Sequence, residues 1–194
     1  NAETMGKTVV IGVEAGAGAL NSDSDGFVAI GYQAGGYNIN GQYNTFLGYR
    51  AGRENVDGDS NTAIGYGAMK AQQAGADPAQ TNSRASSANT AIGAQAMGGD
   101  WADQRLDDCV AVGQNAMAGA LNNCDGTTAV GKAALYSLTT GTNNVAIGKD
   151  SLYQLVDGIS NTAVGTGALY SETDGKYSTA VGDGALTYQS GKEA

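Results

Sequence analysis

The chain has 194 residues, a formal net charge of −9, no histidine, 31 glycines, two phenylalanines and one tryptophan. This acidic balance argues against binding nucleic acid through its phosphates, which needs clustered Lys and Arg, and against docking on anionic lipid. No apolar run approaches ~18 residues, so the sequence predicts no membrane insertion, and no signal peptide is visible. Because the chain starts at Asn1 and stops in mid-pattern, we expect a fragment of a longer protein.

A short motif, Asn-Thr-Ala-Ile/Val-Gly-x-x-Ala-Leu/Met, recurs along the whole chain. Successive motif glycines lie mostly 17 residues apart, with longer gaps of 28 and 20. A fixed short period indicates one structural unit stacked many times, rather than a globular core with one active site. The ten motif glycines are Gly12, Gly31, Gly48, Gly65, Gly93, Gly113, Gly131, Gly148, Gly165 and Gly182.

Each motif glycine follows a triplet that is β-branched, small and β-branched, as in 128–130. This composition and its period of two predict a strand whose alanine faces one way and whose two flanking residues face the other. We expect the glycine to end the strand at a bend where a side chain would clash or where φ is positive. A second apolar pair follows, such as Ala134 and Leu135, and then a turn at a second glycine such as Gly141.

Helix is disfavoured by two glycines per repeat and by the recurring β-branched residues. We therefore predict an all-β chain: a β-solenoid or β-roll of about ten ~17-residue coils, forming a single repeat domain over 1–194. Each coil is predicted to offer the core about one Ile or Val, one Leu or Met and two Ala. Because that core is thin, we expect other copies of the chain to complete it in a homotrimeric fibre segment. Cys109 and Cys124 lie about one coil apart, so they are either a disulfide or two buried thiols.

The segments 61–69, 43–52 and 161–170 resemble repeats of bacteriophage tail fibres, and are similar to the head repeats of trimeric autotransporter adhesins. The 17-residue spacing and the Leu-Tyr that follows are closer to the phage version. The resemblance implies a rigid homotrimeric roll for attachment to cells, and it brings no catalytic motif. The expected function is a structural and adhesive segment of a virion tail fibre that presents or spaces a surface for a bacterial glycan or protein receptor. The alternative is the head of a trimeric adhesin on a bacterial cell surface.

Two irregular segments, 70–88 and 98–108, are predicted to be loops inserted between regular coils. Insertions in a solenoid map to loops on one face and often carry binding. The second holds the only tryptophan, Trp101, beside several charged residues. An aromatic ring flanked by carboxylates and Arg suits sugar binding, whereas the alternative is that Trp101 covers a wide spot between coils. The receptor-binding candidates are Trp101, Asp100, Asp103, Arg105 and, in the first insertion, Arg84.

Two sets of tyrosines recur in register with the motif. Tyr32, Tyr49 and Tyr66 each follow a motif glycine, and Tyr136, Tyr153 and Tyr170 each lie five residues after one. Both sets repeat every 17 residues, so each is predicted to form a ladder along the stack. Stacked aromatic rings stabilise neighbouring rungs, and that structural role is the favoured interpretation. Glycan binding by an exposed ladder is the alternative.

No cofactor is expected, and the chain is predicted not to be an enzyme. Asn21, Asp23 and Asp25 resemble the start of a calcium loop, but Tyr32 stands where its bidentate Glu belongs, so an acidic turn is favoured over a calcium site. Without histidine no histidine-assisted triad can form.

Two less favoured functions are ice binding and polysaccharide degradation by a tailspike. Ice binding would use the row of Thr at the first triplet position, which Val28, Val110 and Val145 interrupt. A tailspike would need clustered carboxylates, and only 100–108 comes close.

Overall fold

A computed structural model describes residues 7–18, 24–70, 86–99 and 106–188. Every motif triplet within these ranges forms a three-residue strand that ends directly before the motif glycine. The strands are β1 Val9–Ile11, β2 Val28–Ile30, β3 Thr45–Leu47, β4 Thr62–Ile64, β5 Thr90–Ile92, β6 Val110–Val112, β7 Thr128–Val130, β8 Val145–Ile147, β9 Thr162–Val164 and β10 Thr179–Val181.

The ten strands form one parallel sheet in strictly sequential order, from β1 to β10. Each strand pairs in register with the next, so that identical motif positions stack directly. The chain makes about nine turns, and the predicted β-solenoid is confirmed. β4 pairs with β5 as Thr62 with Thr90, although 28 residues separate them, and the coil register is therefore kept across the first irregular gap.

The part of the chain that the structure describes contains no α-helix. It accordingly has no helix that is long and apolar enough to cross a membrane.

The interior of the coils is filled mainly by alanine, leucine and methionine side chains of this chain, and Phe27 and Phe46 are also fully buried there. The central strand residue points inward and is fully buried, as at Ala63 and Ala146. The second apolar pair joins it, with Ala134 and Leu135 completely enclosed. In the coils that are described, the interior is therefore closed by a single chain.

One part of the predicted core composition is wrong. The third strand residue, Ile or Val, lies on the outer face of the sheet and is partly exposed, as at Ile92 and Ile147. Side chains alternate across a strand, so the first and third residues both face outward when the central residue faces inward. The core of most coils consists of two alanines, a Leu or Met, and residues from the turns. In the coils of β2 and β3, glycine stands in place of Leu or Met, and the rings of Phe27 and Phe46 occupy the space beside Gly35 and Gly52.

The motif glycine is required by both backbone conformation and close approach. At Gly48, φ is 134°, and a Cβ added there would lie 2.6 Å from the carbonyl oxygen of Gly65 in the next coil. The predicted bend at this position is confirmed. The turn that follows also holds L-residues in the left-handed region, including Arg50 at φ 55° and Leu152 at φ 49°. Each such residue costs roughly 1–2 kcal/mol, offset by hydrogen bonds to neighbouring coils such as Leu152 N–H to the Ala168 carbonyl at 3.0 Å.

A row of buried asparagines runs through the solenoid, one position before each of several strands. In each, the side-chain amide donates to a turn carbonyl of the next coil, and the side-chain oxygen accepts the backbone N–H of the equivalent residue there. For Asn144 these bonds are 2.8 Å to the Gly158 carbonyl and 3.0 Å from the Asn161 N–H. The members of this asparagine row are Asn44, Asn61, Asn89, Asn144 and Asn161, all fully buried.

Cys109 and Thr127 occupy the asparagine position in two adjacent coils. The Cys109 thiol donates to the Cys124 carbonyl at 3.1 Å, much as an asparagine amide would. The Cys124 thiol in turn donates to the Thr139 carbonyl at 3.2 Å. Both cysteines are free and buried, so the disulfide does not form and the buried-thiol interpretation is confirmed.

Candidate functional site

The receptor-binding residues predicted in the two insertions lie outside the described residues. These are Arg84, Asp100, Trp101, Asp103 and Arg105. Of the calcium candidates, Asn21 and Asp23 also lie outside, whereas Asp25 is exposed and uses its backbone carbonyl to accept the Tyr43 N–H at 2.8 Å. Within the described ranges, no group of three or more Asp, Glu, Cys or His residues is placed to hold a metal ion.

A regular surface runs along the outer face of the sheet and is formed by the first and third residues of every strand. The first residues pair as a row of Thr and Val, with Thr45, Thr62 and Thr90 directly adjacent. The third residues form a parallel row of Ile, Val and Leu, of which Leu47, Ile92 and Ile147 are exposed. We call these two rows the outer sheet face.

Sequence reasoning assigned the Ile and Val row to the core and so missed this surface. The signal that could have found it is the period of two, because alanine and its flanking residues cannot face the same side. The first strand residues do stack as the predicted row of threonines along the sheet, and Val110 and Val145 interrupt that row. The β-branched shape, rather than the hydroxyl, is what all its members share.

Both predicted tyrosine ladders are present. Tyr32, Tyr49 and Tyr66 stack with ring centroids 5.2 Å apart at each step. Tyr136, Tyr153 and Tyr170 stack at 5.1 Å with nearly parallel rings. The pKa of Tyr153 is raised, mainly because partial desolvation disfavours the phenolate and also because of electrostatic interaction with Tyr136 and Tyr170. Offset stacking of this kind stabilises adjacent coils.

A polar row lies one position beyond the first tyrosine ladder. Arg50 Nε donates to Gln33 Oε1 at 2.9 Å, and the Gln33 amide donates to the Glu14 carboxylate. The Arg50 guanidinium also lies 5.1 Å from the centroid of the Tyr49 ring, within the range of a cation–π contact. The first ladder is therefore bordered by hydrogen-bonding and cationic groups.

The two cysteines are poor nucleophiles. Burial raises the pKa of Cys109 to about 12 and that of Cys124 to about 11, since enclosure in the coil disfavours the thiolate. A reactive cysteine needs the thiolate form and access to solvent. These thiols act as packing and hydrogen-bonding groups.

Comparison of the chain with protein-family models, with curated proteins and with solved structures found no match.

Proposed function

We propose that the chain is a structural and adhesive segment of a phage tail fibre, which presents or spaces a receptor-binding surface for attachment to a bacterial cell. A stack of identical, directly paired coils makes a stiff body that resists bending, as a spacer requires. The head of a trimeric bacterial adhesin is the alternative with the same architecture. In either case the chain works by binding and has no catalytic role.

The observation that carries the proposal is the outer sheet face. Its Ile, Val and Leu row extends along the stack, and its members are partly to largely exposed, with 43% at Leu47, 38% at Ile92 and 41% at Ile147. Contiguous exposed apolar surface on a soluble protein marks an interaction site. Burying such a side chain on association would contribute about 1–2 kcal/mol per coil, so that many coils together favour a long interface.

We assign this face to self-association in a homotrimer. The buried side chains of one chain already fill the described coils, so the partner copies would cover the outer face instead of completing the interior. Regular rows repeated at every coil suit a second copy with the same period, which can match them coil by coil.

A charge on the outer sheet face tests this assignment. Ile147→Lys should weaken assembly because each partner would have to bury an uncompensated ammonium group. Val156→Lys is the matched control, since Val156 is also 41% exposed but lies in a turn away from the sheet. We expect light scattering to give a lower mass for Ile147→Lys and an unchanged mass for Val156→Lys. Equal masses for both variants and the wild type would remove the outer face as the interface.

Attachment itself is tested by adherence of the fluorescently labelled chain to a panel of bacterial strains. We expect saturable adherence to a subset of strains and competition by the unlabelled chain. An unrelated acidic protein of similar size serves as the control for nonspecific sticking. Absence of saturable adherence to every strain, together with a monomeric mass, would contradict the proposal. The sequences of the flanking genes would separate a phage from a bacterial origin.

A further inference from the structure

The two tyrosine ladders hold oxidisable rings face to face at a fixed separation. Their four stacked pairs have centroids 5.1 or 5.2 Å apart, and in the second ladder successive ring planes differ by only 5° and 2°. These rings extend from equivalent positions on consecutive coils whose strands pair in register. Corresponding ring atoms, including the ortho carbons beside each hydroxyl, are therefore separated by about the same distance as the centroids.

This arrangement favours one reaction of tyrosine above others. A tyrosine that loses one electron and one proton becomes a phenoxyl radical, and two such radicals join through their ortho carbons. In a flexible chain the two radicals must first meet. In a ladder the second phenol is already beside the first, so an intramolecular step replaces the encounter. Side chains at the surface reorient within picoseconds to nanoseconds, which lets the two rings close the remaining distance.

An oxidant in solution can reach both ladders. The exposed members are Tyr32, Tyr49, Tyr66 and Tyr136. The half-buried Tyr153 stacks directly on Tyr136, with 5.1 Å between the ring centroids. Tyr177 is 77% exposed, but it belongs to no ring pair among the residues that the structure describes. Stacking, rather than exposure alone, therefore distinguishes the ladder tyrosines.

We propose that the two tyrosine ladders are sites of oxidative modification, in which dityrosine bonds join adjacent coils of one chain. The oxidant is a peroxide used by a one-electron oxidising catalyst such as a peroxidase. Each of two stacked tyrosines gives up one electron and one proton, and the two radicals form a carbon–carbon bond between ortho carbons. The hydrogen on each of those carbons then moves to the phenol oxygen. Two tyrosines and one hydrogen peroxide thus give one dityrosine and two waters.

Such a bond would add a covalent link between coils that side-chain packing and hydrogen bonds otherwise hold together. Linked residues are 17 positions apart, so each bond closes one complete coil into a loop. A closed loop restricts the unfolded chain, as a disulfide does, and opposes the separation of neighbouring coils. This modification goes beyond the attachment function and does not depend on it.

The middle ring of each ladder provides the sharpest test, because every stacked pair contains either Tyr49 or Tyr153. Tyr49→Phe combined with Tyr153→Phe removes every stacked pair of phenols and keeps the rings that pack the ladders. Tyr43→Phe combined with Tyr177→Phe is the matched control. It removes two hydroxyls from rings that are 62% and 77% exposed and that belong to no ring pair within the described ranges. Circular dichroism confirms that each variant is folded.

The dilute purified chain is treated with hydrogen peroxide and a haem peroxidase, and dityrosine is measured by its fluorescence. We expect the wild type and the control to fluoresce equally, and the Tyr49 and Tyr153 double variant to fall to near background. The cross-linked material should run as one chain on a denaturing gel. Mass spectrometry should find peptide pairs from the same ladder that are lighter by two hydrogen atoms than their sum.

Three results would overturn the proposal. The first is equal dityrosine in the ladder variant and the wild type. The second is dityrosine that is lost in the control variant or that joins different chains on the denaturing gel. The third is a wild type without dityrosine under conditions that couple free N-acetyltyrosine.

Discussion

Removing one buried amide from the asparagine row tests what holds the coils together. Asn144→Ala deletes the donor to the Gly158 carbonyl and the acceptor of the Asn161 N–H. Both backbone groups would then be buried without these hydrogen-bond partners. Each unsatisfied group lowers the free energy of unfolding by roughly 1–3 kcal/mol. We therefore expect unfolding free energy to fall by about 4 kcal/mol in total.

The neighbouring Asn143 provides the control. It is exposed, has φ 59°, and bonds only to the Thr142 hydroxyl through its side chain. Asn143→Gly retains the left-handed backbone and should change stability by no more than ~0.5 kcal/mol. Asn144→Cys should recover part of the loss, because the Cys109 thiol already donates to a carbonyl from the same position.

Urea denaturation followed by circular dichroism measures the stability of these variants. Native-state hydrogen exchange adds a local reading, since a solenoid is stabilised coil by coil and can open locally. We expect the Asn161 amide to lose protection in Asn144→Ala more than amides several coils away. An Asn144→Ala variant that is as stable as Asn143→Gly would refute the role of the asparagine row.

Three further predictions follow from single positions. Gly48→Ala should destabilise the fold by roughly 2–5 kcal/mol in denaturant titration, because its Cβ would collide with the next motif glycine, whereas Gly167→Ala, in open space, should cost far less. Thr127→Asn should raise stability by about 1–2 kcal/mol, because the Thr127 hydroxyl is buried without a partner within the described structure and an amide there could bond to the next coil. Cys109 and Cys124 should resist alkylation at pH 8 until the chain unfolds. The pKa values of both thiols are higher in the folded chain than the value of 9.0 in the unfolded chain. The two thiols therefore contribute fully to the free energy of unfolding below pH 9, and this contribution is lost as the pH rises toward 11 and 12. Denaturation measured from pH 8 to 11 should show that decline in stability.

The sequence was sufficient to predict the strands, because each motif triplet combines β-branched residues with a period of two. It also placed both tyrosine ladders, since a 17-residue spacing brings equivalent residues together on successive coils. The prediction of which strand residues face the core was wrong because it was based on residue composition. Large apolar residues such as Ile147 were expected in the core, but the inward strand position is that of Ala146, which Phe46 occupies in β3.

The asparagine row was not predicted because an asparagine near a glycine usually indicates a turn. Its buried amide is satisfied only by groups on the next coil, and that contact is not encoded in the local pattern. The left-handed φ of Leu152 was equally hidden, since leucine normally avoids that region and only the packing of neighbouring coils holds it there.

The mass of the purified chain in solution tests the central claim most directly. Multi-angle light scattering at several concentrations, in buffer of physiological ionic strength, gives that mass without assumptions about shape. If the outer sheet face joins three copies, the mass will be three times the 19.4 kDa of one chain and will fall toward one chain in Ile147→Lys. A mass of 19.4 kDa for the wild type at every concentration would contradict the proposal that this face assembles the fibre.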